Sequence, residues 1–94
     1  MPAYAIGHIR IKDPAKWIEY RDQVPDTLAR WGGEVVFRAR RSDVLHGEHA
    51  YSDVVVLRFP DAGAVARWHA SPAYQALIPL RDQAAEVLLI SYES

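Results

Sequence analysis

At 94 residues the chain is long enough for one small core and too short for two, and a domain of this size buries only roughly 60–65% of the surface exposed by its unfolded chain. Half the residues are apolar and 24% are charged, with both signs interspersed and a formal charge of −1, so the composition is globular and no basic field exists to hold a phosphate backbone. Cysteine is absent, which removes disulfides, thiolate nucleophiles and cysteine metal sites together, and asparagine is absent, which removes a common oxyanion donor.

The first strand is expected over Ala3–Ile11, where parity separates Ala5, Gly7, Ile9 and Ile11 from Tyr4, Ile6, His8 and Arg10. Asp13-Pro14 then supplies an N-cap and a proline at the first helical position. Trp17, Tyr20, Val24, Leu28 and Trp31 recur at steps of three and four and form one apolar stripe, which Gly32-Gly33 ends. Pro25 lies inside that stretch and predicts a kink, or two shorter helices meeting near Val24.

Glu34 to Arg40 alternates Val35, Phe37 and Ala39 against Glu34, Val36, Arg38 and Arg40 and reads as a strand, with Val44-Leu45 as an extension. After the polar stretch His46-Gly47-Glu48-His49 comes Val54–Phe59, β-branched and nearly continuous, a strand expected to be covered on both faces. Pro60-Asp61 opens a helix through Val65 and Trp68. Ser71-Pro72 caps another through Tyr74, Leu77 and Ile78, with Pro79 as a second kink, and Val87–Tyr92 is the closing strand.

Strand, helix, strand, strand, helices, strand is the order of the split βαβ arrangement, so residues 1–94 read as a single α+β domain, ferredoxin-like βαββαβ with a four-stranded antiparallel sheet. Right-handed crossovers put the helices on one face. The other face receives Tyr4, Ile6, Val36, Val54, Val56 and half of the last strand, an apolar surface that predicts a homodimer pairing sheet to sheet. No apolar run reaches the length of a signal peptide or a membrane span, so the expectation is a cytoplasmic protein with neither membrane nor nucleic acid as partner.

The run Ile6–Pro14, Val24-Pro25, Gly32-Gly33, Val44-Leu45 with Gly47, Val55–Pro60, Trp68, Ser71-Pro72 with Tyr74-Gln75, and Arg81 together resemble the small bacterial family called domain of unknown function 1330. That family is similar in architecture to the dimeric α+β barrel superfamily, which also holds cofactor-free monooxygenases, haem-degrading oxygenases, muconolactone isomerases and chlorite-dismutase-like proteins. The resemblance implies a dimeric α+β barrel and no established reaction. Within that superfamily, the step from Trp68 to Tyr74 followed by Arg81 looks like an aromatic, phenol and arginine set used by some cofactor-free oxygenases on polycyclic phenols. The asparagine those enzymes commonly add has no counterpart here.

Three constellations carry candidate chemistry. Parity places His8 and Arg10 beside Arg38, Arg58 and Tyr4 on the non-helical face, where guanidinium forks suit an anionic or phenolic ligand and an imidazole suits proton abstraction. The structural alternative is that these groups sit at strand ends and pair with carboxylates or water. Trp68, His69 and Tyr74, with Tyr20 and Trp31 from the first helix, form an aromatic group that is pocket wall or plain core. His46 and His49 flank Glu48 at a spacing permissive for a metal ion, yet no third ligand stands at a recognisable offset and the stretch reads as a solvated turn.

The functional expectation is therefore a homodimer binding a small anionic or phenolic metabolite in a cavity beside the sheet, with no cofactor and no metal. If catalytic, the chemistry is a cofactor-independent monooxygenase or isomerase-like reaction with His8 as base, Arg38 or Arg81 holding an oxyanion and Tyr74 orienting the ring. Tyr4, Arg10, Tyr20, Arg58, Trp68 and His69 complete the expected ligand contacts. The rival expectation is a non-catalytic accessory dimer with no pocket.

Overall fold

Local chemistry at the helix starts sets the frame. The computed structural model describes all residues from Met1 to Ser94. Asp13 accepts the Lys16 amide at 3.2 Å, Asp61 the Ala64 amide at 2.7 Å and Ser71 the Tyr74 amide at 3.3 Å, each satisfying an N–H that the first helical turn leaves free. The elements run β1 (Ala3–Ile11), α1 (Pro14–Leu28), a short 3₁₀ turn (Ala29–Trp31), β2 (Glu34–Arg40), β3 (Asp53–Phe59), α2 (Ala62–Ala70), α3 (Pro72–Gln75), α4 (Ile78–Ala84) and β4 (Ala85–Glu93). Gly32 closes the 3₁₀ turn at φ 70°, the left-handed region that favours glycine.

The four strands form one antiparallel sheet in the order β2-β3-β1-β4, the ferredoxin-like topology. Ala3, Ala5 and Ile9 of β1 and Leu57 and Phe59 of β3 face the helices and are buried together with Trp17, Tyr20, Val24 and Leu28 of α1. Trp68 and Tyr74, the two largest fully buried side chains, fill the centre from α2 and α3. No helix is long and apolar enough to cross a membrane.

Four local expectations are corrected. Pro25 neither breaks nor divides α1, because it lies on the exposed side, where the carbonyl it leaves without an amide partner meets water. Val44-Leu45 does not extend β2; that segment is irregular and Leu45 is exposed. The helical stretch after Ser71 is two helices, and Pro79 stands in the first turn of α4, where the missing N–H costs no hydrogen bond.

The fourth correction matters most. In β2, Val35 pairs with Leu57 and Phe37 with Val56, so Val36 is an inserted residue and the strand carries a β-bulge. Val36 and Phe37 are both 49% exposed on the open face. Alternation is inverted beyond the bulge: Arg38 pairs with Val55, the strand neighbour of Gly7, and so turns to the helix-covered face, away from His8, Arg58 and Tyr4.

The core polar groups are all satisfied. Trp68 donates its indole N–H to Thr27 Oγ1 at 3.0 Å, and Thr27 in turn donates to the Val24 carbonyl at 2.7 Å. Thr27→Val preserves shape but strands the buried indole donor, and is expected to destabilise the fold by about 1–3 kcal/mol. Urea denaturation measures this; an unchanged midpoint would show that the indole has another partner.

Candidate functional site

Between the helices and the sheet lies a cavity of about 20 Å³, room for one ordered water, lined by ten hydrophobic residues among its twelve. Gly7 forms part of its floor: a Cβ there would stand 2.9 Å from Val55 Cγ1, so the strand interior carries glycine where backbone and side chain meet closely. Trp17, Tyr20 and Val24 enter from α1, Trp68 from α2, Tyr74 from α3, and Arg38 from β2.

The polar groups of the wall are joined. The Tyr20 and Tyr74 hydroxyls are 2.9 Å apart and share a hydrogen bond that either can donate. Arg81 donates to the Tyr74 oxygen at 3.1 Å and also to Asp82 at 3.2 Å. Trp68 packs against Tyr74 with ring centroids 4.3 Å apart. A phenol pair capped by a guanidinium is thus held inside an apolar wall, the environment in which a charge-assisted hydrogen bond is strongest.

Burial, and next the neighbouring Tyr74 phenol, raise the Tyr20 pKa far above its ordinary 10.0; the Arg81 and Arg38 charges pull the other way without offsetting them. Burial and then the nearby Arg21 lower the Arg38 guanidinium, against Tyr20 and Asp22. Arg81 is also pulled down by burial, but its bonds to Tyr74 and Asp82 hold it above the usual value.

A second, open groove of about 350 Å³ runs between α2 and the β1–β4 side of the sheet, with Val65, His69, Leu89 and Ser91 in its walls. Trp68 and Leu89 line both spaces and partition them. His69 is exposed, its ring 5.5 Å from that of Tyr74.

The sequence-derived set is therefore split by the sheet. Tyr20, Arg38, Trp68, Tyr74 and Arg81 gather on the helix side, with His69 at the groove. His8, Tyr4, Arg10 and Arg58 belong to the other face: His8 lies opposite Val54 and Leu88, and Tyr4 opposite Arg58 and Tyr92. Arg10 is tied to Glu86 in an exposed ion pair, which raises the guanidinium and lowers the carboxyl. His8 packs 5.0 Å from His49 and 6.1 Å from Tyr51. His8 and Tyr74 thus stand on opposite sides of the sheet. Trp31 packs at the margin of the core and is not in the cavity wall. Three residues escaped the sequence reading: Thr27, which anchors Trp68, Gly7, whose place in a strand interior was the available signal, and Arg21, whose charge faces Arg38.

Fold and site together define a ferredoxin-like α+β protein with a phenol–guanidinium cluster enclosed beneath its helices. Residues 2–93 match the family described as Domain of unknown function (DUF1330), and the chain belongs to that family. Among solved structures it is similar to RPA0582, a protein of unknown function from Rhodopseudomonas palustris, at TM-score 0.82 and 18% identity over 99% of this chain and 82% of that one. A dimeric ferredoxin-like protein of unknown function from Jannaschia sp. CCS1 matches at TM-score 0.80 and 12% identity over 100% of both chains. SnoaB, a cofactor-independent oxygenase from Streptomyces nogalater, matches at TM-score 0.72 and 14% identity over 99% of this chain and 92% of that one. At these identities the likeness is one of fold. None of the curated proteins matches the sequence.

Because the folded chain keeps Tyr20 protonated where an unfolded phenol ionises near pH 10, its contribution to stability is complete below about pH 10 and is lost as the pH rises above it. Denaturant midpoints compared at pH 9 and pH 11 are expected to fall for the native chain and to fall less for Tyr20→Phe. Equal falls would show that Tyr20 ionises freely in the fold.

Proposed function

We propose that the protein is a homodimer that binds a small, partly apolar, anionic or phenolic metabolite on the helix side of its sheet. The observation that carries this reading is the Tyr20–Tyr74–Arg81 chain at 2.9 and 3.1 Å, whose two phenols stand with Arg38 in a mostly hydrophobic cavity wall. A polar cluster of that kind suits an oxygen that carries, or acquires, negative charge. Tyr74 orients the ligand oxygen, Arg81 and Arg38 supply positive charge, and the apolar body lies against Trp68, which also lines the 350 Å³ groove. His69 lines that groove, whereas His8 lies beyond the sheet.

Pairing rests on the open face. Val36 and Phe37 at 49% exposure, Leu88 at 43% and Tyr92 at 48% form, with half-buried Ile6, Val54 and Val56, an apolar surface no helix covers. A second copy provides the cover that β3 requires on both faces, and the dimeric neighbour from Jannaschia supports it.

The enzymatic form of the reading is cofactor-independent oxygenation or proton transfer, supported by the shared fold of SnoaB. The absence of asparagine requires arginine and tyrosine to hold the oxyanion instead. A non-catalytic dimer is the second reading, and the small cavity of about 20 Å³ favours it.

Catechol is a suitable probe, with Trp17 and Trp68 as fluorescent reporters in the cavity wall. Saturable quenching is expected, weakened about tenfold in Tyr74→Phe and in Arg81→Gln, the loss of one hydrogen bond, and unchanged in His8→Ala. Catechol that binds the variants as it binds the parent, or not at all, would refute the site. Light scattering is expected to return twice the chain mass of 10.6 kDa at dilute concentration, and a Phe37→Lys variant the mass of one chain. A parent protein that is monomeric and folded would remove the dimer.

A further inference from the structure

Three arginines are not fully exposed: Arg21, Arg38 and Arg81. Arg21 is bonded to Asp22 at 3.2 Å and Arg81 to Tyr74 and Asp82, whereas Arg38 has neither a hydrogen bond nor an ion pair within the chain. A half-buried guanidinium with five donors and no acceptor from the protein is left to water, and a bound anion can take the water's place.

Its surroundings indicate what that something is. Arg38 stands in the wall shared by the inner cavity and a small cleft of about 80 Å³ that opens between α1 and the β2–β3 end of the sheet, where Trp17, Arg21, Asp53 and Val55 also line the space. Arg21, the other guanidinium of the cleft, repels Arg38. The one acid lining the cleft, Asp53, accepts from the Ser52 hydroxyl at 2.7 Å, and Asp22, outside the lining, accepts from Arg21. Two guanidiniums facing one cleft, one of them unpaired, fit a planar bidentate anion.

On the inner side the charges of Arg38 and Arg81 both act on the Tyr20 hydroxyl. We infer that Arg38 and Arg21 form a carboxylate subsite at the mouth of the cleft, and that the ligand is a small carboxylic acid whose apolar or aromatic body points inward to Tyr20 and Tyr74. This inference rests on the helix-side binding reading and narrows it. The ligand class has an acid group at one end and, at the other, a phenol or enol oxygen that meets the hydroxyl pair. The cleft of about 80 Å³ takes the acid end, and the inner cavity of about 20 Å³ must widen by side-chain movement to take the body, which limits it to a single ring or a short chain.

Benzoate and its neutral analogue benzyl alcohol separate the two claims, with binding to the full chain followed by the indole signals of Trp17 and Trp68. Benzoate is expected to bind at least about tenfold more tightly than benzyl alcohol. Arg38→Gln is expected to erase that preference by weakening benzoate alone, and Arg21→Gln to reduce it about threefold. Near-ultraviolet circular dichroism verifies that each variant keeps its packing. Should Arg38→Gln fail to fold, the half-exposed Arg21→Gln decides: benzoate must weaken in it while benzyl alcohol does not. Equal affinity for the two probes in the parent, or a preference that survives either substitution, overturns the carboxylate subsite while leaving the cavity reading intact. Binding of neither probe overturns both.

Discussion

A strand shows alternate side chains to alternate faces, and one inserted residue reverses every position beyond it. The bulge at Val36 in β2 performs that reversal, and the rest of the arrangement depends on it. Regular alternation would set Arg38 on the open face and leave the helix side without a cation opposite Tyr20. With the bulge, Arg38 enters the cavity wall and Phe37 turns outward. One local irregularity thus adds a cation to the enclosed side and an exposed phenyl ring to the open side. Bulges at functional sites commonly re-aim a side chain in this way.

Placing phenols and a guanidinium under the helices is tolerable only because their hydrogen bonds are closed. Tyr20 meets Tyr74, Tyr74 meets Arg81, Arg81 meets Asp82 at the surface, and Trp68 meets Thr27. The chain leads from the interior to solvent, so Arg81 keeps its charge despite burial while Tyr20 keeps its proton. Arg38 is the exception, a cation with no internal partner beside a second cation, and an incomplete network is the feature a bound anion would complete.

The sheet divides the molecule into two surfaces of different character. On the helix side a cavity, a groove and a cleft share Trp68, Leu89 and Arg38 as common walls, so a modest side-chain shift changes the available volume. On the other side Tyr4, Ile6, His8 and their cross-strand partners form a broad face with the His8–His49–Tyr51 aromatic cluster at one end. Membership of the DUF1330 family and the fold shared with dimeric and oxygenase neighbours are compatible with this division.

The letters alone determined the element order, the α1 stripe, the capping of α1, α2 and α3 by Asp13, Asp61 and Ser71, and the apolar reverse side of the sheet, because these follow from periodicity and from hydrogen bonding within a few residues. They also singled out Tyr20, Trp68, Tyr74 and Arg81, though not as a connected set. Tertiary structure alone decided the side on which Arg38 stands, the separation of His8 from Tyr74 and the closure of the Tyr20–Tyr74–Arg81 chain. A bulge appears only when a strand is paired with its neighbour, and the two phenols that meet at 2.9 Å are 54 residues apart, so neither is written in any local pattern.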